Sequence, residues 1–209
     1  MISLFIDTAL NFIRIALFKD EVLIDSINEE CSKNMSSIFD VRLDSIFKRN
    51  NLSINNVDKI YVVTGPGSFT GIRVGMTFAK VLAFSLNKDI TPISELQVLA
   101  SVDSSCNVAS LIDARRGYVY AGVYDNNLDS LVCDKYMLLD DFLNSVSDVK
   151  FVSYDSFQKI DCSIPNIDFT KLIKKNSNVK QISHQLLVPN YLKLTEAEEN
   201  LRKKKYSDC

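Results

Sequence analysis

Short apolar runs separated by polar breaks open the chain, and their spacing predicts strands. Residues 2–6 read as a buried strand ending at Asp7. Residues 12–18 and 21–27 read as two more, joined by a tight turn at Lys19 and Asp20. A helical period then sets in, with Ser32 or Ser36 as its cap, and runs to about Arg49. The polar residues 50–56 predict a loop, and the β-branched run 59–63 another strand. Residues 70–86 are helical, and a further helix follows Pro92, with Ser94 as cap and Leu96, Leu99 and Val102 as its buried face. The second half repeats the plan: strands at 108–112, 118–124 and near 131–136, a helix at 138–146 and a strand at 149–154.

The repeat extends to individual residues. Asp7 and Asp113 both end a buried strand and precede a hairpin, and the 106-residue offset between them also relates Ile13 to Val119. The repeated order is three strands, a helix and a strand. It predicts a duplicated, two-lobed α/β fold of the actin-like ATPase type, with mixed sheets flanked by helices. Residues 1–104 form an N-terminal lobe with the partner-binding helices, and residues 105–188 a C-terminal lobe. Residues 189–209 form a tail that packs back on the first lobe. Architecture of this kind does not fix function.

Two helices carry more apolar surface than one sheet face can cover. In residues 70–86, Ile72, Val74, Met76, Phe78, Val81, Leu82, Phe84 and Leu86 surround nearly the whole circumference, leaving a polar stripe of Arg73, Thr77 and Lys80. Gly71, Gly75, Ala79 and Ala83 form a small-residue ridge that would admit a second helix at close range. In the preceding helix, Met35, Ile38, Phe39, Leu43, Ile46 and Phe47 cover about half the circumference, with Arg42 beside them. Two readings follow. Either these helices pack on one sheet and on each other, or Met35, Ile38, Phe39, Arg42, Gly71, Gly75, Phe78, Ala79 and Leu82 form a protein–protein interface.

The loop before the second of these helices contains Gly65, Gly67 and Gly71, with Ser68 or Thr70 as helix cap. A strand–glycine loop–helix can cradle an anion. Here the spacing is neither a Rossmann nor a P-loop pattern. A nucleotide-binding hairpin needs small residues, yet Thr8, Ala9, Leu10 and Asn11 follow Asp7, and Ala114, Arg115 and Arg116 follow Asp113. No glycine follows Gly122. The chain is therefore expected to hold no nucleotide, and Asp7 and Asp113 to act as strand-end hydrogen-bond acceptors.

Composition narrows the chemistry further. The 209 residues are 46% hydrophobic and 24% charged, with a formal net charge of −2. No basic field recruits nucleic acid. His184 is the only histidine, so no histidine-pair metal site exists. The five cysteines (Cys31, Cys106, Cys133, Cys162, Cys209) include no C-x-x-C pair and read as reduced thiols. The start of the chain has no basic signal region, and no stretch is expected to span a bilayer, so the cytoplasm is the expected location. Arg202, Lys203, Lys204 and Lys205 make a basic end, read as a solvated helix end or a weak contact with RNA phosphate or an acidic partner.

Four segments carry a resemblance to a known family. They are Ile6, Asp7 and Thr8; Gly65, Pro66, Gly67, Ser68, Phe69, Thr70, Gly71, Ile72, Arg73, Val74 and Gly75; Ile112, Asp113, Ala114, Arg115, Arg116, Gly117, Tyr118, Val119 and Tyr120; and Pro189, Asn190, Tyr191, Leu192 and Lys193 with Glu196, Ala197 and Glu198. Pro92 to Leu96 is a weaker fifth. These segments resemble the TsaB (YeaZ) family across almost the whole chain. Two departures stand out: Asn34, Met35 and Ser36 where the family usually has a His-Ser/Thr helix start, and Ala9 where it often has Ser.

The resemblance implies an actin-like fold without a working active site and without a cofactor of its own. It implies pairing, through the helices of the first lobe, with a TsaD-like catalytic subunit. With a TsaE-like ATPase, that pair threonylcarbamoylates the adenosine next to the tRNA anticodon, and this chain meets tRNA only indirectly. Two other readings compete: an independent actin-like kinase or ATPase, and a scaffold that homodimerises through the same helices.

Overall fold

The computed structural model describes residues 1–193, so Glu196, Ala197, Glu198 and the basic residues 202–205 lie outside the described residues. The first sheet takes five strands: β1 (Ile2–Asp7), β2 (Phe12–Lys19), β3 (Val22–Glu30), β4 (Val57–Val63) and β5 (Ile90–Ile93). Their order is β3-β2-β1-β4-β5. The first three form an antiparallel meander, and β4 and β5 add in parallel. The turn between β2 and β3 sits at Asp20 and Glu21, both left-handed with φ of 50° and 66°. Two such residues match the twist of a hairpin, so β3 begins one residue later than the apolar pattern placed it.

Two long helices flank this sheet, α1 (Met35–Arg49) and α2 (Phe69–Leu86). α1 starts after Asn34, whose side chain makes no capping bond, so neither Ser32 nor Ser36 caps it. The predicted loop 50–56 ends in a single 3-10 turn, Ile54–Asn56, capped by Ser53. β5 went unread because Pro92 looked like a helix lead-in. It pairs with Val62 at the edge of the sheet, where a residue without an N–H is tolerated. The expectation that no stretch could cross a membrane needs correction: by length and composition alone α2 is long and apolar enough. Its apolar excess is partly core, since Ile72, Met76, Ala79, Leu82 and Ala83 are buried.

The second sheet repeats the first. β6 (Asn107–Asp113), β7 (Tyr118–Tyr124), β8 (Ser130–Leu138) and β9 (Val149–Val152) lie in the order β8-β7-β6-β9. β9 is again parallel to the first strand of the meander. Between the sheets lies α3 (Glu95–Ala100), capped by Ser94 and packed on β6 and β7. Alternation along β6 separates two cores. Val108 and Ile112 join the large cluster shared with the first sheet. Ala109 and Leu111 join a smaller outer cluster under Phe142 of α4 (Leu139–Ser145).

A fifth helix, α5 (Phe169–Asn176), was not read from the sequence. It buries Phe169, Leu172, Ile173 and Asn176, and Asp168 caps it. Phe169 packs on Phe5 with ring centroids 5.6 Å apart. Ile182 then pairs with Ile90 through two 2.9 Å backbone bonds, and the Asn190 N–H donates to the Thr64 carbonyl at 2.8 Å. Residues 169–188, placed with the second lobe by the sequence pattern, thus meet the first sheet at Phe5 and Ile90.

Candidate functional site

The end of β1 is where the sequence signals converge. The Thr8 hydroxyl donates to the Gly71 carbonyl at 2.7 Å and accepts from the Gly75 N–H at 2.9 Å, so it bridges one turn of α2. This approach needs glycine. A Cβ at Gly71 would stand 2.1 Å from the Thr8 carbonyl oxygen, and one at Gly75 would stand 2.6 Å from Thr8 Oγ1. The small-residue ridge therefore admits the end of β1, not a second helix. The glycine loop is also tied inward: the Ser68 N–H donates to the Ala9 carbonyl at 2.6 Å, and the Gly71 N–H donates to Ser68 Oγ at 3.2 Å. Two donors that an anion cradle would offer are engaged within the chain.

Asp7 is fully buried. One carboxylate oxygen accepts the Ala9 N–H at 2.8 Å, and the other accepts from Arg14, which faces it across β1 and β2. The same Arg14 nitrogen donates to Glu95 of α3 at 2.9 Å. All three side chains have no exposure. Burial, and then the charge of Asp7, push the Glu95 carboxyl well above the usual carboxylate range, against the pull of Arg14. The Glu95 carboxyl thus holds its proton more tightly than an exposed glutamate does. The guanidinium also lies over Phe12 at 4.7 Å and over Tyr154 of the second lobe at 5.3 Å. Arg14, Glu95 and Tyr154 were not singled out from sequence, although a lone arginine inside the apolar run 12–18 was the available signal.

Asp113, the counterpart of Asp7, faces no buried arginine among the described residues, and its cationic neighbour is the exposed Arg115 at 3.7 Å. It accepts the Arg115 N–H at 2.9 Å, and its own N–H donates to Asp155 at 2.7 Å. Arg115 and Arg116 turn the hairpin in left-handed conformations and are exposed. Between the two Asp-ended strands runs a cleft of about 550 Å³, lined in part by Phe12, Ser68, Asp113, Arg115, Tyr120 and Tyr154.

A second hollow of about 630 Å³ opens between α1 and α2. Phe39, Phe69, Val74, Phe78 and Val81 line it, with Asp40, Arg73, Thr70 and Thr77 among them. Of the residues expected at an interface, Phe39, Gly71, Gly75, Ala79 and Leu82 are buried. Met35, Ile38 and Phe78 are half-buried, with Phe78 against Phe39 at 5.2 Å. Arg42 pairs with Glu29 of β3 at 2.6 Å. The open apolar positions are instead Phe69, Val81 and Phe84, at 56%, 62% and 71% exposure. At the α2 start, Tyr191 stacks on Phe69 at 5.6 Å and its hydroxyl accepts from Arg73 at 3.3 Å. Pro66 and Gly65 are buried beneath.

Comparison with known proteins places these features. The family model described as TsaD, tRNA N6-adenosine threonylcarbamoyltransferase, matches residues 26–184. The tRNA threonylcarbamoyladenosine biosynthesis protein TsaB of Bacillus subtilis is 30% identical, over 95% of this chain and 96% of that protein. The protein of the same name from Haemophilus influenzae is 37% identical over 45% of this chain and 42% of its own length. Two solved structures from Pseudomonas aeruginosa share the fold. YeaZ gives a TM-score of 0.74 at 18% identity, covering 91% of this chain and 99% of its own. A protein described as similar to peptidase YeaZ gives 0.77 at 19% identity, covering 92% and 99%.

Proposed function

The chain belongs to the TsaB (YeaZ) family of tRNA threonylcarbamoyladenosine biosynthesis proteins, and from that premise we propose that it is the non-catalytic partner of a TsaD-like subunit. The carrying observation is the open apolar groove between α1 and α2. Phe69, Val81 and Phe84 expose large apolar side chains on one helix, beside a hollow with an apolar floor. Such a patch marks a surface that is covered in an assembly. The partner contact is the exposed rim, Phe69, Val81 and Phe84, with half-buried Val74, over a floor formed by Phe39 and Phe78.

The lack of catalysis rests on the strand ends. Asp7 spends its carboxylate on Arg14 and the Ala9 N–H, inside the core. Gly71 and Gly75 spend their closeness on Thr8. The chain then carries no cofactor of its own, meets the TsaE-like ATPase and tRNA through the complex, and works in the cytoplasm.

Co-expression with a TsaD-like subunit tests the pairing. Val81→Asp with Phe84→Asp is expected to abolish co-purification while circular dichroism stays unchanged. A folded double variant that still binds at wild-type affinity would sink the assignment. Depleting the chain should lower threonylcarbamoyladenosine in tRNA. Calorimetry at millimolar ATP tests the independent ATPase, and binding by the isolated chain would revive it. Sedimentation tests the scaffold reading, which an unchanged homodimer in the presence of the TsaD-like subunit would favour.

A further inference from the structure

Three surface arginines pair with carboxylates of this chain: Arg42 with Glu29, Arg49 with Asp25 and Arg115 with Asp113. Arg73, which lines the hollow between α1 and α2, meets no carboxylate among the described residues. Aromatic rings hold it instead. Its guanidinium lies 3.7 Å from the ring centroid of Phe69, and its Nε donates to the Tyr191 hydroxyl at 3.3 Å. Tyr191 in turn stacks on Phe69 at 5.6 Å. The segment that carries Tyr191 is itself anchored, because the Asn190 N–H donates to the Thr64 carbonyl at 2.8 Å and Leu187 is buried.

A guanidinium carries its N–H donors in a planar fork. Tyr191 engages Nε, so the two terminal nitrogens remain for a bidentate acceptor. A free arginine loses rotamer freedom when it binds, whereas the stack on Phe69 has already fixed this one. The surroundings select the acceptor. Phe69 and Val81 expose apolar side chains in the same hollow, and Lys80 follows two turns along the polar stripe of α2. That face is apolar and cationic, and its complement is apolar and acidic. Asp40 lines the opposite wall and repels a phosphate dianion more than a single carboxylate. We propose that Arg73 receives a carboxylate side chain of the TsaD-like subunit, with Tyr191 as the residue that positions it. This rests on the pairing proposed above and names the chemistry of one contact within it.

The test measures the Kd of the full chain for the TsaD-like subunit by calorimetry, without tRNA and over a range of salt. Arg73→Gln should weaken binding about 30-fold with circular dichroism unchanged. It should also flatten the salt dependence, because the screened attraction is gone. Arg73→Lys keeps the charge without the planar fork and should recover only part of the loss. Tyr191→Phe should weaken binding in the wild-type chain and add nothing beside Arg73→Gln. An unchanged Kd and salt slope for Arg73→Gln, while Val81→Asp with Phe84→Asp abolishes pairing, would overturn this contact and leave the pairing standing. If the Val81, Phe84 double variant also binds at wild-type affinity, the pairing through this face falls and takes the contact with it. A loss for Arg73→Gln that emerges only when tRNA is added would assign Arg73 to a phosphate and overturn the carboxylate.

Discussion

Arg14 shows how much one residue decides. It enters inside the apolar run 12–18 of β2, and among the described residues it is the cation that faces two buried carboxyl groups, Asp7 and Glu95. Removing it by Arg14→Met should cost about 3–5 kcal/mol in urea unfolding, because the carboxyls would stay buried without their partner. Glu95→Gln should behave differently. The folded state holds the Glu95 proton well above the usual range, whereas the unfolded chain releases it near pH 4.3, roughly the ordinary glutamate value. The folded state thus binds more protons over that window. Its contribution is complete below the unfolded pKa and is lost as pH rises through the folded one. Glu95→Gln should remove that downward slope, and its advantage over wild type should grow as pH rises above the unfolded glutamate value. A constant difference across that range would mean that Glu95 is ionised in the fold.

At the scale of the element, α2 has two apolar faces with different tasks. The inward face carries Ile72, Met76, Ala79, Leu82 and Ala83, and the outward one carries Val81 and Phe84. Leu82→Asp should unfold the isolated chain or cost about 3 kcal/mol or more, since it buries an unpaired charge. Phe84→Asp should stay within about 0.5 kcal/mol of wild type. Urea transitions of the two variants make the comparison, and equal costs would mean that α2 is seated differently. The excess apolar surface of α2 was legible in the sequence. Its division was not, because apolar residues flank the narrow stripe of Arg73, Thr77 and Lys80 on both sides, and the docking of Thr8 at Gly71 and Gly75 fixes which of them face the sheet.

For the whole molecule, the duplicated plan is closed by a segment that the repeat does not contain. α5 and the residues after it cover Phe5 and pair with β5, so the first sheet is completed by chain that follows the second. A chain ending at residue 168 should therefore lose cooperative unfolding as a whole, rather than shed a tail. A single sharp urea transition at near wild-type midpoint would show that α5 is dispensable. α5 was readable, with Asp168 as cap and Phe169, Leu172, Ile173 and Asn176 at helical spacing. It was missed because its pattern is short and lies outside the repeat.

The sequence by itself determined the elements of the repeat, β5 and α5 excepted, and their duplication. Periods of two and 3.6 residues are local properties of the backbone, and Asp7 and Asp113 mark equivalent strand ends. It also carried the family, since the segments around Gly65 to Gly75 are continuous in the chain. Tertiary structure alone decided the pairing of Arg14 with Glu95, 81 positions apart. It alone turned the glycine ridge inward and brought Lys193 over Tyr136. These are contacts between distant segments, and a side chain's partner across such a distance is set by how sheets and helices stack, which no local period encodes.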